Sequence, residues 1–220
     1  MAQTKIGVLI SGGGTNLQIL IDNIKKGYIN GSIKLIISNK EDAFGLERAK
    51  KADIEAIYIN PTLYKNAVDY DRKLIEEFKK RDIELIVLAG YLKILSREFV
   101  VEYRDRIINI HPSLIPSFCG KSFYGKRVHK AVLDYGCKIT GATVHFVDEN
   151  TDTGPVILQE PVKVYDDDTV ESLQKRVLEA EHKILSKAVK LFCEGKLKIE
   201  GRHVKIIEEW YYEACVNQCL

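Results

Sequence analysis

Over residues 1–110, short runs of apolar and mostly β-branched residues alternate with longer segments in which apolar residues recur at helical spacing. The apolar runs, such as IGVLI, IKLII and IELIVLA, are nearly continuous, which is typical of parallel strands covered by helices on both faces. The longer segments surround their apolar positions with Lys and Glu, as is typical of amphipathic helices. We predict strands at Lys5 to Ser11, Ile33 to Ser38, Ala56 to Ile59, Ile83 to Leu88 and Arg106 to Ile110, and helices at Asn16 to Lys26, Phe44 to Lys51 and Val68 to Arg81.

The pattern changes after residue 110. His111 to Lys126 has little periodicity and contains Pro and Gly, so it predicts a long loop, which in proteins is often functional. Beyond it we predict a helix at Lys126 to Tyr135, strands at Gly141 to Val147 and Pro155 to Val164, and a long helix capped by Asp168 or Thr169 that runs to Cys193 and stops at Gly195.

This order of elements predicts an α/β fold: a mostly parallel, Rossmann-like twisted sheet with helices on both faces and antiparallel strands near the C-terminal end. Nothing resembling a linker divides the chain, so we expect one domain over residues 1–201. Residues 202–220 then form a C-terminal appendage of unknown role.

The amino-acid composition excludes several classes of function. The 220 residues include 33 Lys+Arg and 31 Asp+Glu, and a net charge of +2 is too small for a protein whose main partner is a nucleic acid. Five cysteines without C-x-x-C spacing indicate a reducing compartment and no zinc site. Since no apolar run is long enough to span a membrane, we expect a cytoplasmic protein without a membrane partner.

A glycine-rich run, Ser11-Gly12-Gly13-Gly14-Thr15-Asn16, separates the first predicted strand from the first predicted helix. Glycines let the backbone approach a ligand, and a helix N-terminus presents free N–H groups that favour anions. The run lacks the Lys of a P-loop, and Leu17 stands where a dinucleotide-binding motif has its last glycine. These features favour a monophosphate site, with a simple turn capped by Thr15 or Asn16 as the alternative.

A second candidate site is Asn109 and His111 at the end of the fifth predicted strand. Alternation along the strand puts both side chains on one face, and ligands of parallel sheets bind at the carboxyl ends of the strands. Asn can donate to a developing oxyanion, and His titrates near neutral pH, so the pair suits acyl transfer. A single His at a strand end is more often structural, but the neighbouring Asn and Pro112 favour the functional interpretation.

Two further sites carry carboxylates. The loop DENTDTG contains Asp148, Glu149 and Asp152, which form either a solvated turn or a group that orients an imidazole. Glu181 falls within the apolar stripe of the last predicted helix, where a carboxylate is costly unless it is paired or meets a ligand. An edge position that reaches water is the alternative. Cys119 has no evident base nearby and is interpreted as an incidental thiol.

Together the segments SGGGTNL, SNKEDAFGLERA, VLAGYLKIL, NIHPSLIP and GATVHFVDENTDTGPVILQ resemble motifs of the folate-dependent formyltransferases, in particular the branch that formylates 5′-phosphoribosylglycinamide. The likeness runs from Ile6 to about Lys198, and its last two motifs are highly specific. It implies transfer of a formyl group from 10-formyltetrahydrofolate, a co-substrate, to the amine of this ribotide in purine biosynthesis. It also implies a metal-free reaction, small-molecule partners, and a monomer or homodimer.

The resemblance also implies roles for particular residues. Asn109, His111 and Asp152 would form the catalytic set, with Asp152 keeping His111 protonated. The phosphate of the ribotide would bind at Gly14, Thr15 and Asn16. The rest of the ribotide would meet Leu178, Glu179, Ala180 and Glu181. The folate would lie against Leu92, Lys93, Ile94, Leu95, Asn109, Asp148, Glu149, Asn150, Thr151 and Asp152.

The sequence departs from the family pattern at two places. Ala67 stands where family members often carry a folate-contacting Arg, so Lys65 replaces it or the contact is missing. Cys119 stands where Pro is common, which concerns the shape of the loop after His111. Two alternative functions use the same residues: a hydrolase that releases formate from the formyl donor, and a non-catalytic ribotide-binding module.

Overall fold

Nine strands form one sheet in the computed structural model, which describes residues 2–207. The strands are β1 (Thr4–Ile10), β2 (Gly31–Ser38), β3 (Ala56–Tyr58), β4 (Leu85–Leu88), β5 (Ile107–His111), β6 (Ile139–Phe146), β7 (Val156–Lys163), β8 (Leu197–Glu200) and β9 (His203–Ile206). They lie in the order β3-β2-β1-β4-β5-β6-β7-β9-β8. Strands β1 to β5 pair in parallel, whereas β6 pairs antiparallel with both β5 and β7. The predicted fold class is therefore confirmed.

Helices cover both faces of this sheet. They are α1 (Thr15–Lys25), α2 (Phe44–Lys51), α3 (Ala67–Lys79), α4 (Arg97–Glu102), α5 (Lys126–Tyr135) and α6 (Val170–Cys193). In β1, Ile6, Val8 and Ile10 face one core, which includes buried residues of α1 and α6, and Leu9 faces a second core, which includes those of α3 and α4. Because both faces are buried, the strand is apolar throughout instead of alternating with polar residues.

The long helix α6 begins as its sequence predicts. Thr169 is the N-cap, and its hydroxyl accepts a hydrogen bond from the N–H of Ser172, whose own hydroxyl accepts one from the N–H of Thr169. This reciprocal arrangement satisfies two N–H groups that a helix start leaves free. Gly195 follows the helix with a φ of +67°, as expected for a glycine stop.

Four elements were not predicted. A short 3-10 helix lies at Pro61–Leu63, α4 spans six residues after its N-cap Ser96, and β8 and β9 form a hairpin. All are too short to show a period in the sequence. The predicted appendage from residue 202 begins inside that hairpin: β9 pairs with β8 and contacts β7, so residues 203–206 belong to the sheet. Residues 208–220 of the predicted appendage lie outside the described residues.

The strand order places a crevice at the carboxyl ends of β1 and β4. From β1 the chain builds β2 and β3 on one side, and it then crosses back to place β4 on the other side of β1. Such a reversal of strand order is where ligands bind in sheets of this kind. The loops after the two strands are joined here: the N–H of Ser11 donates to the Gly90 carbonyl at 3.2 Å, and the N–H of Leu92 donates to the Ser11 hydroxyl at 2.9 Å. No helix within residues 2–207 is both long and apolar enough to cross a membrane.

Candidate active site

A cavity of about 600 Å³ opens at the carboxyl ends of β1, β4 and β5. It extends from the glycine-rich loop to the acidic loop that precedes β7, and α6 forms part of its wall. A cavity of this size suits small organic ligands. Its walls are residues 12–16, 88–95, 109–112, 120–125 and 147–152, together with His129, Gln174, Leu178 and Glu181.

The glycine-rich loop has the form of an anion site. Gly14 is the N-cap of α1 and has a φ of +68°, a left-handed conformation that favours glycine. No side chain caps this helix start, so neither Thr15 nor Asn16 is the predicted cap. The Gly12 carbonyl accepts a hydrogen bond from the N–H of Gly45 at 3.0 Å, on the side of α2. Since the N–H of the next residue in a trans peptide points the opposite way, the Gly13 N–H faces away from α2.

Glu181 is buried, as its place in the apolar stripe predicted. Its Oε2 accepts a hydrogen bond of 2.7 Å from Nδ2 of Asn16, although the two residues are 165 positions apart in the chain. Burial raises the pKa of Glu181 to about 7, while the Asn16 contact acts in the opposite direction. Oδ1 of Asn16 is buried and has no hydrogen-bond partner within the described chain, so this pair offers an acceptor to a ligand.

Asn109 lies on β5 beside a histidine of β6. Its Nδ2 is 3.1 Å from Nε2 of His145, and the other ring nitrogen of His145 is 2.7 Å from the Phe146 carbonyl. A carbonyl only accepts, so Nδ1 of His145 carries the hydrogen, and in the neutral ring Nε2 accepts from Asn109. His145 thereby fixes the amide orientation of Asn109 and leaves a second N–H of its Nδ2 for a ligand. His145 is not among the residues predicted for the site.

His111 is 4% exposed and lies between a carbonyl and a carboxylate. Its Nε2 is 2.9 Å from the Phe118 carbonyl, so that nitrogen carries a hydrogen, and its Nδ1 is 3.6 Å from Oδ2 of Asp152. Burial lowers the pKa of His111 below its usual value, and the Asp152 charge opposes this only in part. The expectation that Asp152 keeps His111 protonated is therefore wrong for this structure, because desolvation outweighs the attraction.

Asp152 lies between His111, His145 and the backbone of Gly120. Its Oδ1 is 3.7 Å from Nε2 of His145, and its Oδ2 accepts a hydrogen bond of 2.8 Å from the N–H of Gly120. Burial raises the pKa of Asp152, but the hydrogen bond from the Gly120 N–H and the attraction of the neighbouring imidazoles when they carry a proton hold it below the usual value. A carboxylate in this position can stabilise a cation that forms on His111.

The other predicted residues divide into those that line the cavity and those that do not. Leu92 and Ile94 are 50% and 60% exposed there, and apolar side chains of this kind suit a flat aromatic ligand. Glu149 forms a 2.8 Å ion pair with Arg97. Glu179 is exposed and Ala180 packs in the core, so neither of these predicted ribotide residues lies in the cavity wall. The wall also contains Gly14, Thr15, Asn16, Lys93, Leu95, Asp148, Asn150, Thr151 and Leu178.

The two departures from the family pattern also have positions in the structure. Lys65 and Ala67 are exposed, and neither belongs to the cavity lining of the described chain. Cys119 is half-buried; its thiol donates to the Pro116 carbonyl at 3.2 Å, and burial raises its pKa, as suits an incidental thiol. With Cys119 in place of Pro, the loop places the Phe118 carbonyl 2.9 Å from Nε2 of His111.

His129 is a further residue of the cavity that was not predicted from the sequence. This residue of α5 is 1% exposed, lines the cavity, and has no hydrogen-bond partner for its Nδ1 among residues 2–207. Burial lowers its pKa to about 4, so the ring is neutral at physiological pH. Its position next to Val128 and three residues before Val132, both fully buried, is the sequence signal that places it on the inner face of the helix.

Comparison with known proteins identifies the family. The family model described as formyl transferase matches residues 4–189, which is most of the chain. The chain belongs to the formyl transferase family. Within it, the phosphoribosylglycinamide formyltransferase of Escherichia coli is 41% identical over 88% of this chain and 89% of its own length, so the chain belongs to this group of formyltransferases. The predicted family and enzyme class, a formyltransferase of purine biosynthesis, are confirmed.

Other relatives agree with this placement. The glycinamide ribonucleotide transformylase 1 of Symbiobacterium toebii superimposes with a TM-score of 0.90 at 42% identity and covers 94% of this chain and 95% of its own. The bovine trifunctional purine biosynthetic protein adenosine-3 is 43% identical over 94% of this chain, but this formyltransferase spans only 20% of its length. A formyltetrahydrofolate deformylase from Pseudomonas syringae shares the fold, with a TM-score of 0.84, at 23% identity.

Proposed function

We propose that this formyltransferase moves the formyl group of 10-formyltetrahydrofolate to the amine of 5′-phosphoribosylglycinamide, with Asn109, His111 and Asp152 as its catalytic set. The observation that carries the proposal is that these three side chains, which come from β5 and from the loop before β7, meet in the wall of one cavity. That cavity also reaches the glycine-rich loop, so one ligand-binding space connects a phosphate site with an acyl-transfer site. We propose that the reaction takes place in the cytoplasm, in a monomer or homodimer and without a metal.

The ribotide is held at one end of the cavity. The N–H groups of the glycine-rich loop and of the start of α1 bind the phosphate, since a helix N-terminus favours an anion. Glu181 and Asn16 provide a buried carboxylate oxygen and a free amide oxygen, both of which accept hydrogen bonds from the ribose hydroxyls or the glycinamide part. These contacts, remote from the reacting atoms, fix the amine in attack geometry.

The folate is held at the other end. The exposed apolar side chains of Leu92 and Ile94 cover one face of the ring system, and the backbone of residues 148–152 provides polar partners at its edge. The formyl group on N10 then lies near Asn109, between the two binding regions. The proposal requires both substrates to be bound together, which the single continuous cavity allows.

The chemistry begins when the amine nitrogen attacks the formyl carbon. The carbonyl oxygen becomes an oxyanion, and the second N–H of Asn109 donates to it without changing its own charge. Neutral His111 takes up the proton that the amine loses, through water where the atoms are not in contact, and Asp152 at 3.6 Å stabilises the imidazolium. The C–N10 bond breaks, the proton passes to N10, and tetrahydrofolate and the formylated ribotide leave.

The test is an absorbance assay of tetrahydrofolate formation from 10-formyltetrahydrofolate, with and without the ribotide. We expect product only when the ribotide is present. Asp152→Asn keeps the size of the side chain and tolerates the φ of +57° at this position, but it removes the charge that stabilises the His111 imidazolium, so turnover falls about 10²-fold or more. Asp134→Asn is the matched control, because Asp134 is exposed on α5 and pairs only with Lys130 within the described chain; its turnover stays at the parent level.

The assay distinguishes the proposed transferase from a hydrolase and from a binding module. Full turnover in Asp152→Asn would refute the catalytic set. Formate release without the ribotide, at the rate seen with it, would identify a hydrolase instead. Ribotide binding with no formyl transfer in the parent protein would identify a binding module.

A further inference from the structure

The glycine-rich loop turns two successive carbonyls away from the cavity and toward α2. The Gly12 carbonyl accepts from the backbone N–H of Gly45, and the Gly13 carbonyl accepts from Nε of Arg48 at 2.8 Å. Because C=O and the following N–H point in opposite directions across a trans peptide, this arrangement directs the N–H groups of Gly13 and Gly14 away from α2. Gly13 and Gly14 both line the cavity, so these N–H groups are available to a ligand there.

Arg48 is itself held firmly. Its Nη1 donates to Oε1 of Gln18 at 3.1 Å, and its guanidinium carbon lies 5.1 Å from the centre of the Phe44 ring. The Arg48 guanidinium therefore joins α2, the glycine-rich loop and the first turns of α1. Because two hydrogen bonds and one aromatic ring already hold this side chain, it loses little conformational entropy when a ligand binds. Arg48 is half-buried behind the loop and does not belong to the lining of the cavity in the described chain.

The glycine-rich loop packs so closely against α2 that no side chain fits between them at Gly14. A Cβ atom added to Gly14 would lie 2.7 Å from Cα of Gly45 and 3.3 Å from Cδ of Arg48. The loop thus lies directly on α2, and the orientation of its peptides depends on what α2 presents to it. Arg48 is the one side chain of α2 in the described chain that is hydrogen-bonded to a carbonyl of this loop.

We propose that Arg48 is the positioning residue of the phosphate site. By holding the Gly13 carbonyl, it directs the Gly14 N–H at the phosphate of the ribotide, and its charge adds attraction from behind the loop without contacting the ligand. This inference rests on the proposed function for the identity of the phosphate ester, but the orientation of the loop does not depend on the chemistry at Asn109.

The test separates binding from turnover. Arg48→Met keeps an unbranched side chain against Phe44 but removes both donors and the charge. We expect the dissociation constant for ribose 5-phosphate, measured by calorimetry, and the KM for the ribotide both to rise about tenfold, as for loss of a hydrogen bond from a charged donor. The KM for 10-formyltetrahydrofolate and kcat at saturating ribotide stay within about twofold, because the folate end and the catalytic set are untouched.

Two further variants sharpen the result. Arg48→Lys keeps the charge but loses the planar guanidinium, whose Nε and Nη1 donate separately to the Gly13 carbonyl and to Gln18, so we expect about a threefold loss of ribose 5-phosphate affinity. Lys50→Met removes the same charge from an exposed position on the same helix and leaves the affinity unchanged. If Arg48→Met does not fold, the comparison of Arg48→Lys with Lys50→Met decides the question.

The inference is overturned if Arg48→Met and Arg48→Lys bind ribose 5-phosphate as the parent does, or if Lys50→Met weakens binding as much as Arg48→Met. A parent protein that does not bind ribose 5-phosphate overturns it as well. A parent protein that binds ribose 5-phosphate but transfers no formyl group would refute the proposed function and leave the inference intact.

Discussion

Replacing Glu181 by Gln is expected to make the protein more stable at alkaline pH. In the parent, burial raises the pKa of Glu181 from 4.5 to about 7. At about 1.4 kcal/mol for each pH unit, this difference corresponds to about 3 kcal/mol of folding free energy. The variant removes the charge, and its amide oxygen still accepts a hydrogen bond from Nδ2 of Asn16, which is 2.7 Å from Oε2 of Glu181 in the parent.

The direction of the pH effect follows from proton binding. Below pH 4.5 the carboxyl is protonated in both the folded and the unfolded chain, so it contributes no pH dependence. Between pH 4.5 and about 7 the folded protein binds more protons at this site than the unfolded chain, and stability falls as the pH rises. Above about pH 7 the parent has lost the full amount of about 3 kcal/mol of folding free energy. The difference in stability between Glu181→Gln and the parent should therefore grow by about 2 to 3 kcal/mol from pH 5 to pH 8.

Urea unfolding followed by circular dichroism at both pH values measures this difference. All other titrating groups are shared by the two proteins, so their effects cancel in the comparison. Glu179→Gln serves as the matched control: Glu179 is exposed on the same helix, and an exposed substitution should change stability by less than about 0.5 kcal/mol at either pH. If the stability advantage of Glu181→Gln is the same at pH 5 and pH 8, the carboxyl carries no charge penalty in the folded protein and the prediction is wrong.

Four further outcomes are expected. Asn109→Ala lowers kcat about 10²- to 10³-fold without changing the urea midpoint, and full turnover would remove it from the mechanism. At saturating ribotide, the acid limb of the kcat profile lies below pH 6.5, because burial lowers the pKa of His111 and activity is lost only when the folded-state imidazole is protonated; a limb above 6.5 contradicts this. Gly14→Ala costs about 1 to 2 kcal/mol for a left-handed residue, more with the contact to Gly45, and urea unfolding would show it. Thr169→Ala loses about 1 kcal/mol of stability with kcat unchanged, and an unaltered urea midpoint would argue against the cap.

The position of Glu181 illustrates a site residue that local pattern could predict. Its spacing from Val177 and Ile184 shows that its side chain enters the core, and a buried carboxylate requires a partner or a ligand. The partner, Asn16, was also among the predicted residues, but nothing in the sequence joins two positions 165 residues apart. The hydrogen bond between them exists because α1 and α6 pack on the same face of the sheet.

The charge state of His111 shows where sequence reasoning fails. The predicted role of Asp152 was to keep the ring protonated through its negative charge, and Asp152 does lie 3.6 Å from Nδ1. However, the loop after β5 folds back over the ring, brings the Phe118 carbonyl to Nε2 and excludes water, and the resulting burial lowers the pKa. That loop has no period of its own, so its path was not predictable from the sequence.

The amino-acid sequence alone specifies local features: which segments are buried on both faces, where the parallel strands end, and which residue types with donor, acceptor or titratable groups lie at those ends. Burial on both faces requires continuous apolar strands, and that requirement is visible along the chain. Three features appear only in the folded chain: β4 lies beside β1, the loop after β5 covers His111, and α2 supports the glycine-rich loop through Arg48. Those features depend on contacts between distant segments, and it is desolvation by such contacts that sets the charge of a buried side chain.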